Sequence, residues 1–276
     1  MAIAYLNSTT SFAAAGWSDA TGFVNTADLV VNNRGINIQT ALDQSALTEG
    51  IDSLDIEKTA TGSIGGAGAS LILEANTGLA RVTNNAPVSL YLASKTGVAT
   101  TLFACGGSSE NHLTGGAFTT VSVASGLCNI KAATTVTTFY ALGGSGVIEA
   151  NANPIVTAYI IGGSWIIKRG VTTLFIDPRA SVTFEGNEDG AGYALATVHL
   201  RNQGTLSIIS GSVTTLNKYA GTLDTSRQNR ALTITNLNNY TGTSQAVNAL
   251  TTVTTETFIG GLNKVATPTP GSPGGG

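Results

Sequence analysis

A four-residue unit of the form apolar–Thr–Thr–apolar recurs along the chain at a nearly constant spacing. The clearest copies are VTTF at 136–139, VTTL at 171–174 and VTTL at 213–216. Looser copies are ATTL at 99–102, FTTV at 118–121, VTAY at 156–159, LATV at 195–198 and ITNL at 234–237. Their fourth residues lie 19, 18, 20, 15, 24, 18 and 21 positions apart. A regular step of about 19 residues indicates a repeat architecture.

The residues that follow each unit repeat as well. VTTF at 136–139 is followed by YAL, then GGSG, then VI, and VTAY at 156–159 is followed by II, then GGS, then WII. Each repeat therefore reads as a strand, a Gly- or Pro-marked turn, a second strand and a second turn. No apolar run has the length and 3.6-residue period of a packed helix.

Equivalent positions carry the same residue type at every step, which is the pattern of parallel stacking. In a parallel coil the same position of successive turns lies about 4.8 Å apart, so side chains form ladders. The phrase LNKY at 216–219 returns as LNNY at 237–240, which predicts that Tyr219 and Tyr240 stack. The sequence predicts an all-β fold, a parallel β-solenoid (β-helix) of roughly 19 residues per coil.

Composition agrees with a solenoid. Only 11% of the 276 residues are charged, and the chain contains 34 glycines. Regularly placed Val, Ile and Leu argue against disorder. The net charge of −3 gives no general attraction to nucleic acid or to an anionic membrane, so we expect neither as a partner.

Three segments are predicted. Residues 1–50 lack the repeat and form an N-terminal cap, with a small strand pair at LVV 29–31 and INI 36–38 and a short helical turn within 40–48. Residues 51–259 form the solenoid body, with on the order of 11 coils and a length of roughly 50 Å. Residues 260–276 are a Gly- and Pro-rich flexible tail.

The two cysteines lie at different positions within the repeat. Cys105 follows its anchor residue by three positions and Cys128 follows its anchor by seven. We therefore expect free buried thiols, as in a reducing cytoplasm, rather than a disulfide. Residues 1–6 lack the basic region of a signal peptide, and no apolar run has membrane-spanning length.

Candidate catalytic groups are few. The 24-residue step indicates an insertion, and Asp177, Glu185, Glu188 and Asp189 lie near it. These residues could form a catalytic carboxylate pair or a calcium-binding loop, and a solvated turn is the simpler interpretation.

Basic residues form a second candidate group. Lys168 and Arg169 precede the pair His199 and Arg201, which share a face at strand spacing. They could bind an acidic substrate, although a solvated edge or a salt bridge between subunits is the simpler interpretation.

The remaining motifs favour structural roles. Asp52, Asp55 and Glu57 are interpreted as charges that cap the first coil. The glycine-rich stretch 65–68 lacks the Lys-Ser/Thr and the helix of a phosphate-binding loop. His112 and His199 are too far apart in sequence to suggest a metal site or a catalytic triad, and Trp165 is interpreted as a packing residue. We therefore predict no catalytic residue, metal or cofactor, and no enzyme activity.

A resemblance supplies a functional expectation. The segments WSDATGF at 17–23 and LDQSALTEGIDSL at 42–54, together with the Thr-Thr and Gly-Gly repeats, resemble structural proteins of tailed bacteriophage virions. The repeat portion is similar to β-helical decoration (cement) proteins of icosahedral heads, which are often trimers. The resemblance implies a homotrimer on the capsid surface that is assembled in the host cytoplasm. It also implies that residues 1–50 bind the major capsid protein and that the solenoid is the body.

Two other classes of protein remain open. Tail fibres and tailspikes also contain β-helices that contact host polysaccharide, and such a protein should bring carboxylates and aromatic residues together on one face, a feature that the sequence mostly lacks. A bacterial surface adhesin would need an export signal.

Overall fold

The chain is built from β-strands over the whole of its described length. The computed structural model describes residues 2–7, 27–38, 42–43, 51–73, 80–94, 97, 99–186, 192–228, 230–241 and 248–259. The strands are β1 (Ala2–Tyr5), β2 (Ala27–Val31), β3 (Ile36–Ile38), β4 (Leu42–Asp43), β5 (Ile51–Ile56), β6 (Gly62–Ile64), β7 (Leu71–Leu73), β8 (Arg81–Asn84), β9 (Val88–Ser94), β10 (Ala99–Cys105), β11 (Glu110–Val123), β12 (Leu127–Ile130), β13 (Thr134–Ala141), β14 (Ser145–Ile148), β15 (Ile155–Ile160), β16 (Gly163–Ile167), β17 (Val171–Ile176), β18 (Ala180–Glu185), β19 (Ala194–Leu200), β20 (Thr205–Lys218), β21 (Thr222–Asp224), β22 (Leu232–Asn239) and β23 (Thr251–Phe258).

These strands form two parallel sheets that wind together as a β-solenoid, which confirms the predicted fold. The first sheet has the order β1-β2-β5-β8-β10-β11-β13-β15-β17-β19-β20-β22-β23. The second sheet contains β3, β4, β6, β7, β9, β12, β14, β16, β18 and β21. β11 and β20 are long enough to pass from the second sheet into the first.

The doubled threonine marks a corner of each coil. In β17, Val171 and Leu174 are buried, whereas Thr172 is exposed and Thr173 is half-buried. Strict alternation would turn one of the two apolar residues outward, so two successive outward residues require the chain to bend there. The unit is therefore a corner followed by a strand of the first sheet, and Val171 faces the core as predicted.

The register differs from the sequence alignment at two of the looser copies. Residues 100–103, rather than 99–102, align with 118–121, because Phe103 pairs with Val121. Residues 155–158, rather than 156–159, align with the neighbouring units, because Ala158 pairs with both Phe139 and Leu174. Two residues occupy equivalent positions in successive coils when their side chains point in the same direction, even where their residue types differ.

The described strands of the first fifty residues lie in the same two sheets. β2 pairs with β1 and β5 in the first sheet, and β3 pairs with β6 in the second. The predicted strands at 29–31 and 36–38 therefore exist, but they do not pair with each other. Of the predicted helical turn at 40–48, residues 42–43 form the strand β4, and the others lie outside the described residues. The predicted tail, 260–276, also lies outside them.

The core is a single stack of aliphatic and aromatic side chains between the two sheets. Trp165 is fully buried and packs edge-on against Phe139, with ring centroids 4.9 Å apart, which confirms its packing role. Gly146 lies directly below Trp165 in the preceding coil. A Cβ at Gly146 would stand 2.9 Å from the indole ring and 1.9 Å from the carbonyl oxygen of Cys128, so only glycine leaves room for the tryptophan.

Both cysteines are buried and free, as predicted. Cys105 ends β10 in the first sheet and Cys128 lies in β12 of the second, so the two residues project into the core from opposite sides. Interaction with the Cys105 thiol, together with burial, raises the pKa of Cys128 well above its ordinary value.

Candidate functional site

A ladder of rings runs along the outer face of the first sheet. Tyr140, Tyr159, Phe175 and His199 occupy the same outward position in successive coils. Neighbouring ring centroids are 4.9, 4.8 and 4.6 Å apart, with interplanar angles of 4°, 4° and 10°. The rings are close to parallel because the spacing of the coils places each ring above the next.

The ladder then shifts sideways by two residues. In the next two coils the position of His199 is taken by Asn217 and Asn238, whose side-chain amides hydrogen-bond at 2.9 Å. The rings continue with Tyr219 and Tyr240, which stack at 4.4 Å and 22°, as predicted. We use the name aromatic ladder for the following six residues: Tyr140, Tyr159, Phe175, His199, Tyr219 and Tyr240.

The stacking limits what the aromatic ladder can bind. A pyranose ring binds an aromatic side chain through the face of the ring, and within the aromatic ladder most faces are covered by the next ring. The surface presented to solvent is a row of ring edges, with Tyr140 38% and Tyr219 41% exposed. The exception is the step between His199 and Tyr219, whose centroids are 6.0 Å apart.

Arg201 lies at this step. The backbone bonds from Arg201 N to Ile176 O and from Tyr219 N to Leu200 O place Arg201 directly below Tyr219 in the stack. Its guanidinium carbon lies 4.8 Å from the centroid of Phe175, a cation–π contact. Within the described part of the chain, Arg201 forms neither an ion pair nor a side-chain hydrogen bond.

A shallow notch opens beside Arg201. It is lined by Arg201, Asn202, Tyr219 and Ala220. Asn202 has a φ of 50°, a left-handed conformation that asparagine tolerates, and it turns the chain from the first sheet towards the second. The notch therefore combines a cation, an amide and a phenol ring in a space that is open to solvent.

The ring of His199 lies between those of Phe175 and Tyr219 in the aromatic ladder. Burial, and secondarily the positive charge of Arg201, lowers the pKa of His199. Its Nδ1 is buried and has no hydrogen-bond partner among the described residues. His199 and Arg201 thus share a face, as predicted, and both contact the ring of Phe175.

The predicted acidic cluster is not assembled by the described residues. Asp177 lies in the turn after β17, directly below Arg201, because Ile176 pairs with Leu200 and Arg201 N donates to Ile176 O. Glu185 lies at the far end of β18 and pairs with Lys168 at 3.1 Å. Glu188 and Asp189 lie outside the described residues.

Lys168 and Arg169 lie at the opposite corner of the coil from His199 and Arg201. The interpretation of Arg169 as a solvated or substrate-binding residue is wrong, because its side chain is fully buried. It donates to the carbonyl oxygens of Glu149 (2.6 Å), Thr134 (2.7 Å) and Lys131 (3.2 Å). Arg169 is a cross-link between coils.

The acidic residues near the start of the predicted body have a similar role. Asp55 accepts hydrogen bonds from Arg81, at 2.7 Å, and from Thr83, both in the following coil. Because β5 pairs with β2 on one side and β8 on the other, Asp55 lies within the stack and does not cap its edge.

The two histidines lie on different sheets. His112 stacks on Tyr91 of the preceding coil, at 4.3 Å and 11°, and its Nε2 is 2.9 Å from Oε1 of Glu110. Across the described residues, no group of three or more His, Cys, Asp or Glu side chains is arranged to hold a metal ion.

The aromatic ladder is the feature that sequence reasoning mostly misses. The repeated phrase predicts the stack of Tyr219 on Tyr240 but not the other four rings, and the expectation that aromatic residues do not converge on one face is wrong. The signal in the sequence is an aromatic or imidazole residue close to the end of each first-sheet strand from β13 to β22, or in the turn that follows the strand.

Comparisons with protein-family models, with curated proteins and with solved structures find no match to this chain. Of the residues that the structure describes, none belongs to a helix long and apolar enough to cross a membrane.

Proposed function

We propose that this protein is a structural component of a tailed-bacteriophage virion, foremost a decoration (cement) protein that binds the major capsid protein lattice and stabilises the head. The proposal takes the virion context from the resemblance of the sequence. The observation that carries the structural role is that charged side chains of the solenoid join one coil to the next.

These cross-links join successive coils along one corner of the stack, where the strands of the second sheet end. Lys131 pairs with Glu149 at 2.7 Å, and Lys168 pairs with Glu185 at 3.1 Å. Arg169 adds three hydrogen bonds to backbone carbonyls of earlier coils. A coil held in this way is a rigid body, and a rigid body suits a protein that must span a fixed lattice.

Residues 1–50 are proposed as the capsid-docking segment of a homotrimer. The parallel pairing of β1 with β2, and of β2 with β5, ties the described part of this segment to the solenoid. A force on the docking segment would therefore be transmitted to the whole stack.

Sedimentation with purified heads tests this proposal. The full-length protein should pellet with heads and raise the temperature at which they release DNA. A variant that lacks residues 1–26 keeps β2 and every later strand, so it should retain its β-sheet circular dichroism but no longer pellet. Binding by the shortened variant would place the interface at residue 27 or beyond, and no binding by the full-length protein would refute the decoration role.

A tail fibre or tailspike component that contacts host polysaccharide is the second candidate. The aromatic ladder and the unpaired Arg201 favour it, since they place rings and a free cation on one exposed face of the described chain. Cofractionation with tails but not with heads would select this candidate over the first.

A further inference from the structure

We propose that the notch formed by Arg201, Asn202, Tyr219 and Ala220 binds a carboxylated sugar, that is, one uronic acid residue of an acidic polysaccharide. The inference concerns the notch alone, so it holds for either candidate function.

The N–H groups of the Arg201 guanidinium are available to a ligand. The guanidinium leans over the ring of Phe175, and no described carboxylate pairs with it. A guanidinium held against an aromatic face is positioned without using its N–H groups. Those groups can therefore form the bidentate contact that a carboxylate accepts.

The carboxylate of the preceding coil does not pair with the Arg201 guanidinium. Asp177 occupies the position directly below Arg201, yet the two side chains do not form an ion pair. Asp177 would repel a ligand that carries only negative charge, such as phosphate or a run of acidic residues. It would accept hydrogen bonds from a ligand that also carries hydroxyl groups.

The other lining residues suit the same ligand. The side chain of Asn202 offers both a donor and an acceptor, and Tyr219 offers an apolar ring beside a hydroxyl. One cation, one amide and one phenol match a sugar acid, which has one carboxylate and several hydroxyl groups.

The aromatic ladder is offset sideways between His199 and Tyr219. The centroids of His199 and Tyr219 are 6.0 Å apart, compared with 4.4–4.9 Å at the other steps of the aromatic ladder. The face of Tyr219 that points towards His199 is therefore the least covered face inside the aromatic ladder. A sugar residue bound to Arg201 would lie beside the exposed edge of the Tyr219 ring.

Binding of full-length protein to three defined uronic acid polymers tests the proposal. The probes are polygalacturonate, alginate and hyaluronate, each compared with its methyl ester, and binding is measured by affinity electrophoresis and calorimetry. At least one polymer should bind, and esterification should abolish its binding because the ester has no charge for Arg201. Arg201→Gln should weaken binding by about tenfold or more, the loss of one charge-assisted contact.

Two further variants separate a specific site from general attraction. Arg201→Lys keeps the charge but loses the planar fork, so it should bind more weakly than the wild type and more tightly than Arg201→Gln. Arg227→Gln removes an exposed charge from the opposite corner of a coil and should bind as the wild type does. Circular dichroism establishes that each variant is folded.

Three results would overturn the proposal. The first is no binding of any of the three polymers, and the second is equal binding of a polymer and its ester. The third is equal loss of binding in Arg201→Gln and Arg227→Gln. Binding of polyglutamate as tightly as the best polysaccharide would also overturn it, because the notch would then recognise a carboxylate on a protein instead.

Discussion

The guanidinium of Arg169 donates a hydrogen bond of 2.7 Å to the carbonyl oxygen of Thr134, which lies 35 residues earlier in the chain. The same side chain reaches the carbonyl oxygens of Glu149 and Lys131, so one arginine joins three coils at a corner. Burial lowers the pKa of Arg169 to about 10, which still leaves the side chain charged at neutral pH. The charge is compensated by carbonyl dipoles at a place where the backbone turns.

Replacement of Arg169 by methionine should therefore be severe. Arg169→Met keeps most of the volume but removes three charge-assisted hydrogen bonds, and only the carbonyl oxygens of Lys131 and Thr134 keep another donor. We expect a loss of at least about 3 kcal/mol in the free energy of unfolding. Urea denaturation measures it. The matched control is Arg227→Met on an exposed turn, which should change stability by less than about 0.5 kcal/mol. Equal effects of the two changes would show that the Arg169 contacts are unimportant.

The inward direction of the corner valines gives a second prediction. Val171→Asp and Val213→Asp should each cost several kcal/mol, on the order of the penalty for an unpaired buried charge. Thr172→Asp and Thr214→Asp, one residue further along and exposed, should cost little. Thermal melts of the four variants check the prediction. If a threonine variant were as unstable as the neighbouring valine variant, the assignment of inward and outward side chains would be wrong.

Gly146 should not tolerate even one added methyl group. Gly146→Ala places a Cβ against the carbonyl oxygen of Cys128 and the ring of Trp165, and overpacking of this kind costs roughly 1–3 kcal/mol. Gly68→Ala is the control, because a methyl group added there, in the turn between β6 and β7, would have no other atom within 4 Å. Tryptophan fluorescence during denaturation reports both stability and the packing of Trp165. Unchanged stability in Gly146→Ala would contradict the close packing.

The aromatic ladder should make stability depend on pH. Because burial and Arg201 lower the pKa of His199, the unfolded chain binds a proton at a higher pH than the folded chain does. The stability that this residue contributes is therefore complete above its ordinary pKa of 6.5 and falls as the pH drops towards the lower folded value.

His199→Phe removes this titration and extends the run of stacked rings. The variant should lose less stability than the wild type when urea denaturation is compared at about pH 7.5 and about pH 5. Carboxylates titrate in both proteins, so their contribution to the pH dependence of stability cancels when the two proteins are compared. An equal loss in both proteins would show that His199 does not contribute to the pH dependence.

The fold is predictable from the sequence because the strongest copies of the repeat have the correct register. VTTF at 136–139 and VTTL at 171–174 occupy the same part of their coils, as does VTTL at 213–216. The weaker copies are misaligned where residue types are matched instead of side-chain directions. The sequence alignment sets the unit at 156–159 one position too late, because Ala158 is small and Tyr159 resembles a better core residue.

That one-residue error interrupts the aromatic ladder at Tyr159. A shift of one residue turns a side chain to the other face of a sheet, so the alignment puts Tyr159 in the core, whereas it lies outward between Tyr140 and Phe175. The role of Arg169 is not predictable for a different reason. Arginine is rarely buried, and the carbonyl groups that hold it become neighbours only after three coils have stacked.

Electron cryomicroscopy of the virion that carries this protein tests the proposed function most directly. We predict β-solenoid rods on the outside of the head, about one trimer at each threefold or quasi-threefold position of the capsid lattice, with residues 1–50 against the major capsid protein. Density for the protein in the tail alone, with bare threefold positions on the head, would contradict it.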